Sequence, residues 1–88
     1  MPKKYRSRTD IIVQILQTTA QNVSATKTKI MYNAFLSFPQ LKEYLSLLIQ
    51  NSLMTYDELE QAYRVTEKGM RFVQIYNSMN NYVKTQEA

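Results

Sequence analysis

Residues 37–50 carry the strongest folding signal in the sequence, that of a single helix with a marked start and two unlike faces. Ser37 can cap the first turn, and Gln40, three residues later, can complete a capping box. Pro39 suits the first turn, where its missing N–H leaves no helical hydrogen bond unmade. Helical periodicity then separates an apolar face from a polar one. The apolar face consists of Phe38, Leu41, Tyr44, Leu45, Leu48 and Ile49, and the polar face of Pro39, Gln40, Glu43, Ser46 and Gln50, with Lys42 at its flank and Leu47 pointing outward.

Helix signals also precede this segment. A first helix opens at a capping box begun by Ser7 and should end near Gln21, and a second occupies about residues 25–34. Only residues 35–37 separate the second helix from the third. Two short helices joined this closely are typical of a helix-turn-helix, whose second helix enters the major groove of DNA.

The composition excludes several classes of function. The 88 residues suffice for one small domain, and a hydrophobic fraction of 44% is typical of a globular one. Cysteine and histidine are absent, and the single glycine, Gly69, excludes a glycine-rich phosphate loop. We therefore predict a protein that is not an enzyme and needs no cofactor or metal, and no small-molecule ligand is evident from the sequence. No apolar run is long enough for a membrane span or a signal peptide, so we predict a cytoplasmic protein.

Positive charge is concentrated in the first third of the chain. Residues 1–32 hold six cations and one anion, which gives +5, whereas residues 33–88 hold five cations and six anions, which gives −1. Such asymmetry indicates an anionic partner. Lys27 and Lys29 stand in the first turn of the second helix, where they oppose the helix dipole unless a phosphate binds there. An ordinary solvated face is the alternative.

A hairpin and a last helix complete the chain. Residues 53–56 and 61–65 are predicted to form two strands joined by an acidic turn. A last helix follows, and Gly69 within it indicates that its backbone closely approaches a neighbouring element. Beyond about Tyr76 this helix should outrun the small domain and expose apolar side chains. We therefore predict a homodimer through this helix, the alternative being that it folds back on its own core. The predicted dimer interface consists of Phe72, Ile75, Tyr76, Met79, Tyr82 and Val83.

Three segments occur in a characteristic order, TKTKIMY at residues 26–32, LSFPQLKEYL at 36–45 and YRVTEKG at 63–69. Together they resemble the archaeal winged helix-turn-helix regulators, most closely the small basic DNA-binding proteins that dimerise through a C-terminal helix. The resemblance spans about residues 8–82. It implies a mostly α winged-helix fold with a three-helix core, a two-stranded wing and a C-terminal dimerisation helix. We accordingly divide the chain into a basic arm (1–8), a winged helix-turn-helix domain (9–66) and a C-terminal helix (67–84).

The resemblance also implies that the partner is double-stranded DNA, with helix 37–50 in the major groove and the wing along the DNA. The protein would then be a transcription regulator or a small chromatin-type protein associated with the nucleoid. The predicted base-reading residues are Gln40, Lys42, Glu43, Phe38 and Tyr44. The predicted phosphate contacts are Lys3, Lys4, Arg6, Arg8, Lys27, Thr28, Lys29, Ser37 and Arg64.

Individual residues in this set have other possible roles. Gln40 can form a bidentate pair with adenine, or it can serve only as a helix cap. Glu43 can accept a hydrogen bond from the amino group of cytosine, or it can be a solvated charge. The acidic turn would be repelled by phosphate, which argues against deep insertion of the wing. A protein-interaction winged helix without direct DNA binding is the alternative function, and the outward Leu47 and the acidic turn favour it.

Overall fold

The computed structural model describes residues 6–84, with the side chains of the last helix described as far as Met79. Lys3 and Lys4 and the side chains of Tyr82 and Val83 therefore lie outside the described residues. Four helices and one hairpin follow one another as α1 (Arg8–Gln21), α2 (Lys27–Ala34), α3 (Phe38–Gln50), β1 (Met54–Asp57), β2 (Ala62–Val65) and α4 (Glu67–Lys84). This order confirms the predicted mostly helical fold with a hairpin. Within the described part, no helix combines the length and apolar character needed to span a membrane.

Capping residues explain where the first three helices begin. Ser7 opens α1 with a reciprocal capping box, and Ser37 does the same for α3 with Gln40. Thr26 caps α2 through the backbone N–H three residues later, so that helix starts at Lys27. These caps satisfy backbone donors that have no partner within the helix.

A left-handed residue produces the tight connection between α2 and α3. Phe35 lies at φ 55° and ψ 52°, which reverses the chain at the end of α2. The next residue, Leu36, turns inward and is buried, and its N–H donates to the Met31 carbonyl at 3.1 Å. Two elements of the helix-turn-helix are thus joined by three residues, as the sequence predicts.

The hairpin is attached to the helices by more than its own two strands. β1 and β2 pair in antiparallel register, with Tyr56 opposite Tyr63. Ala25, in the loop between α1 and α2, pairs with Tyr63 on the other side of β2 through N–H···O bonds of 3.0 and 2.8 Å. A two-stranded hairpin is only marginally stable alone, so this third pairing helps fix the wing to the helical body. Nothing in the sequence pattern indicated it.

All three N-terminal helices, the hairpin and the start of α4 share one apolar core. Its largest fully buried apolar side chains are those of Ile15, Leu16, Ile30, Leu41, Leu48 and Met54. Three residues of α3 depart from their predicted positions. Leu47 is half-buried against the core rather than pointing outward, and Phe38 and Ile49 are exposed. The last two stand at one edge of the apolar stripe, where no element of the described chain covers them fully.

The single glycine lies where α4 leaves the hairpin. A Cβ atom built on Gly69 would stand 2.7 Å from Val65 Cγ1 and closer still to the carbonyl oxygen of Leu53. Thr66 caps α4 by accepting the Gly69 N–H at 3.0 Å, and its own hydroxyl donates to the Ser52 carbonyl at 2.6 Å. The close backbone approach predicted for this glycine is therefore confirmed.

Candidate nucleic-acid interface

Cations from two helices meet on the ring of Phe38. Lys27, in the first turn of α2, places its Nζ 5.7 Å from the ring centre, and Lys42 of α3 places its Nζ at 5.6 Å. Cation–π contacts at exposed sites contribute about 0.5–1 kcal/mol each, which limits the freedom of both side chains. The ring thus holds two positive charges from different elements on one surface.

Arg8 extends this surface to the start of α1. Its guanidinium carbon lies 5.3 Å from the ring centre of Tyr44, and it shares with Lys42 an open groove of about 570 Å³ along the outer face of α3. The groove is lined by Arg8, Pro39, Lys42, Glu43, Ser46, Leu47 and Gln50. We call Arg8, Lys27 and Lys42 the basic face. Three helices contribute to it, although its members are far apart in the sequence.

Polar side chains occupy the outer side of α3 within this groove. Glu43, Ser46 and Gln50 are exposed and recur at helical spacing, so they point the same way. Their carboxylate, hydroxyl and amide groups can accept or donate hydrogen bonds to a polar ligand edge. The sequence placed Ser46 and Gln50 on the polar face but not among the predicted base readers. Their spacing from Glu43 was the signal that could have identified them.

Gln40 and Ser37 are already bonded to each other. The Gln40 Oε1 accepts the Ser37 N–H at 3.0 Å and the Ser37 hydroxyl at 3.2 Å. A bidentate contact to adenine needs both the oxygen and the nitrogen of a glutamine amide. Gln40 would have to leave its cap to make that contact. Capping is therefore its role in this conformation, and the Ser37 hydroxyl likewise donates within the cap.

Tyr44 lies in the core rather than on the predicted reading surface. It is buried, because it stands on the inner side of α3 with Leu41 and Leu48, and Arg8 stacks over its ring. Its ring cannot reach a base edge without unpacking the core, so we remove Tyr44 from the base readers. Its aromatic face instead positions the Arg8 guanidinium.

Arg6 joins the chain before α1 to the end of α2. Its guanidinium donates to the carbonyls of Ala34 at 2.6 Å and Phe35 at 3.2 Å, and to Gln14 Oε1 at 2.9 Å. It also lies 6.0 Å from the ring centre of Phe35. None of these partners is a carboxylate, so the positive charge is not neutralised by them. Arg6, a predicted phosphate contact, therefore also links the segment before α1 to the end of α2.

A second open groove, of about 420 Å³, lies between the first turn of α2 and the hairpin. It is lined by Thr26, Lys27, Thr28, Tyr56, Glu60, Gln61 and Tyr63. The rings of Tyr56 and Tyr63 form its aromatic side, with centres 4.8 Å apart and planes tilted by 50°. Burial, and secondarily the neighbouring Tyr56, raises the pKa of the Tyr63 hydroxyl. Lys27 belongs both to this groove and to the basic face, which therefore continues toward the wing.

The wing carries charges of both signs. Arg64 pairs with Glu60 at 3.1 Å, and both side chains are exposed, so the pair contributes at most about 1 kcal/mol and can exchange for a phosphate. At the tip, the Asp57 carboxylate accepts the N–H groups of Leu59 at 2.9 Å and Glu60 at 3.3 Å, which folds the turn. Among the described residues, no group of three or more His, Cys, Asp or Glu could hold a metal ion.

The residues predicted for a dimer interface divide into two sets. Phe72 and Tyr76 are partly buried against the core of their own chain, and the Tyr76 hydroxyl donates to the carboxylate of Asp10 in α1. Ile75 and Met79 face away from the core, with 56% and 62% of their surface exposed. They stand one helical turn apart and so form an apolar strip on α4.

Comparisons with known proteins agree with this architecture. The sequence profile of the winged helix-turn-helix family matches residues 5–84, which is nearly the whole chain. The fold is similar to the crystal structure of Sso10a-2, a DNA-binding protein from Sulfolobus solfataricus, with a TM-score of 0.72 at 20% sequence identity. That alignment covers 93% of this chain and 92% of the other. No curated protein sequence matches the chain significantly.

Proposed function

Because this chain belongs to the winged helix-turn-helix family, we propose that it binds double-stranded DNA, as a transcription regulator or a small chromatin-type protein of the nucleoid in the cytoplasm. The family match confirms the predicted family and the winged-helix fold. A binding role rather than catalysis fits this family. The similarity in fold to a DNA-binding protein supports the same proposal.

The meeting of Lys27 and Lys42 on the Phe38 ring is the observation that carries this proposal. A major groove about 12 Å wide admits one helix and is flanked by a phosphate backbone on either side. With α3 in the groove, Lys27 on one flank and Arg8 on the other would each face a backbone. Phosphate contacts of this kind fix the position of the protein and supply affinity.

We assign base reading to the outward polar residues of α3. Lys42 and Glu43 were predicted to read bases, and Ser46 and Gln50 join them because they line the same groove. Lysine suits the guanine acceptors and glutamate the cytosine amino group. Backbone contacts from Thr28, Lys29 and Arg64 complete the proposed footprint along the wing, and they are sequence-independent.

A salt titration tests the proposal. Binding of a fluorescent duplex is measured by anisotropy over a range of salt concentrations for the wild type and for Arg8→Gln/Lys27→Gln. Each lost phosphate contact should lower the slope of log affinity against log salt by about 0.9, hence by about 1.8 for two. The matched control is Lys68→Gln/Arg71→Gln, which removes the same charge from α4.

The slope of log affinity against log salt should fall much further in the double variant than in the control. Equal slopes in the two variants would contradict the proposed orientation, and no duplex binding at low salt would contradict the function itself. Titrations with duplexes of unlike sequence test base reading, because a protein that contacts only the backbone binds them all equally.

We also propose that the protein is a homodimer joined through α4. Ile75 and Met79 expose more than half of their surface beside the polar, exposed Gln74 and Ser78, and a second copy of the helix would cover them. Light scattering should give a dimer for the wild type and a monomer for Ile75→Glu/Met79→Glu. Gln74→Glu/Ser78→Glu adds the same charge on the neighbouring face and should remain dimeric. A wild type that scatters as a monomer would refute the proposal.

A protein-interaction module is the second candidate function. Leu59 favours it, because its side chain is 97% exposed at the tip of the wing between acidic neighbours. An outward-pointing Leu47 would also have favoured a protein-interaction module, but that side chain packs against the core. A chain that fails to bind any duplex at low salt would make this candidate the better one.

A further inference from the structure

Three aromatic rings are exposed around the connection between α2 and α3. Tyr32, Phe35 and Phe38, which we call the turn rings, expose 70%, 77% and 50% of their surface. They lie within seven residues of sequence, at the end of one helix and the start of the next. Scattered exposed apolar residues are common, but three largely exposed aromatic rings around one short connection indicate an interaction site.

Folding does not account for the ring at Phe35. The residue adopts the left-handed conformation, at which glycine or asparagine usually ends a helix. A larger side chain is disfavoured there because its Cβ crowds the following carbonyl. The exposed ring regains little by burial. A phenylalanine at this position is therefore better explained by what its ring can bind.

Cations surround the turn rings. Arg6 stacks over Phe35 and is held in place by hydrogen bonds to the carbonyls of Ala34 and Phe35, while Lys27 and Lys42 lie over Phe38. Because Phe35 is largely exposed, Arg6 leaves much of the ring open. Exposed aromatic rings interleaved with cations are the arrangement by which proteins bind single-stranded nucleic acids, the rings stacking on bases and the cations contacting phosphates.

In an intact duplex the base faces are stacked on one another and only base edges are open in the grooves, so aromatic rings can stack only on unpaired bases. We propose that the turn rings stack on unpaired bases, so that the protein binds single-stranded DNA. This inference rests on the proposed function only in taking DNA as the partner. The positive charge around the rings favours a polyanion over an ordinary protein surface.

The experiment compares two short oligonucleotides that have the same backbone. One is an oligo-thymidine and the other an abasic strand of equal length, and their binding is followed by fluorescence anisotropy. The wild type should prefer the oligo-thymidine, because only that strand offers bases to stack on. In Tyr32→Gln/Phe35→Asn this preference should collapse, by about 5- to 150-fold for each stacked base lost. Affinity for duplex DNA should stay unchanged.

The substitutions are chosen to preserve the fold. Asparagine tolerates the left-handed conformation and glutamine is a good helix former, so circular dichroism should show a melting temperature no lower than that of the wild type. Tyr32→Phe/Phe35→Tyr keeps both rings and should retain the preference for oligo-thymidine. Loss of the preference in that variant would overturn the proposal, because stacking requires only the rings.

Other outcomes separate this inference from the proposed function. Equal binding of the two oligonucleotides by the wild type would overturn the inference and leave duplex binding untouched, with a protein partner as the remaining use of the rings. A parallel loss of duplex affinity in the ring variant would also overturn it. A preference for oligo-thymidine that depends on the rings, in a protein that binds no duplex, would support the inference and refute the proposed function.

Discussion

Gly69→Ala tests how closely α4 is joined to the hairpin. In an open helix, alanine in place of glycine stabilises a protein by about 1 kcal/mol. At this site the added methyl group would meet Val65 Cγ1 at 2.7 Å and the Leu53 carbonyl oxygen at a still shorter distance. The propensity gain and the steric cost therefore oppose each other, and their balance depends on whether the neighbours can move.

The carbonyl is the neighbour that cannot move cheaply. It belongs to the backbone and accepts the Thr66 N–H at 3.1 Å, at the cap of α4. Overpacking typically costs about 1–3 kcal/mol, and weakening this hydrogen bond adds about 0.5–1.5 kcal/mol. After the propensity gain is subtracted, we expect a net loss of about 0.5–3.5 kcal/mol. For a domain of this size that lowers the melting temperature by about 4–8 °C per kcal/mol.

Thermal melts followed by circular dichroism measure this effect at one fixed protein concentration, because dimerisation would make the melting temperature depend on concentration. Ser78→Ala serves as the control, since it changes helix propensity at an exposed position of the same helix. The control should melt at or slightly above the wild-type temperature. A Gly69→Ala protein that melts higher than the wild type would refute the reasoning, because it would mean that helix propensity outweighs the close approach.

Two further predictions concern stability. Val23 is exposed and lies at φ 64°, a backbone conformation that is disfavoured for a β-branched residue. Val23→Asn should therefore raise the free energy of unfolding, measured with urea, by about 1 kcal/mol. The control Ser24→Asn, at the next residue, should not raise it. Burial raises the pKa of Tyr63 above its ordinary value of 10.0, so the unfolded chain loses this proton first and stability falls as pH rises above that value. For each protein, the melting temperature at alkaline pH is compared with that at neutral pH, and this decline should be smaller in Tyr63→Phe than in the wild type. Tyr32→Phe removes the hydroxyl of an exposed tyrosine and is the control. Equal declines in the two variants would contradict a raised pKa of Tyr63 as the cause.

The helix starts and the helix-turn-helix were predictable because their causes are local. Ser7, Thr26 and Ser37 cap amides only three residues away, so the relevant interactions lie within one turn of sequence. The close approach at Gly69 was also readable, since glycine inside a helix needs a steric reason. Predictions failed at the edges of the apolar stripe, as at Leu47 and Ile49. Helical periodicity gives the direction in which each side chain points, but it does not show how far a neighbouring element extends to cover that side chain.

The candidate site was predictable in its parts but not in its arrangement. Residue type and position indicated Lys27 and Arg8 as phosphate contacts and Lys42 as a base reader. Only the packed chain shows that two of them meet on the Phe38 ring and that Arg8 stacks on Tyr44. The clamp made by Arg6 on the end of α2 was equally hidden, because it joins groups 28 and 29 residues apart.

The sequence by itself determined that residues 37–50 form a capped helix, that a tight turn precedes it and that positive charge gathers in the first third of the chain. Each of these follows from interactions between near neighbours or from the charge along the chain. The tertiary structure decided which residues share a surface. It brought Lys27 of α2 and Lys42 of α3 onto the ring of Phe38, set Arg8 over the ring of Tyr44, and paired Ala25 with Tyr63. Those outcomes depend on packing between distant segments, which local patterns do not encode.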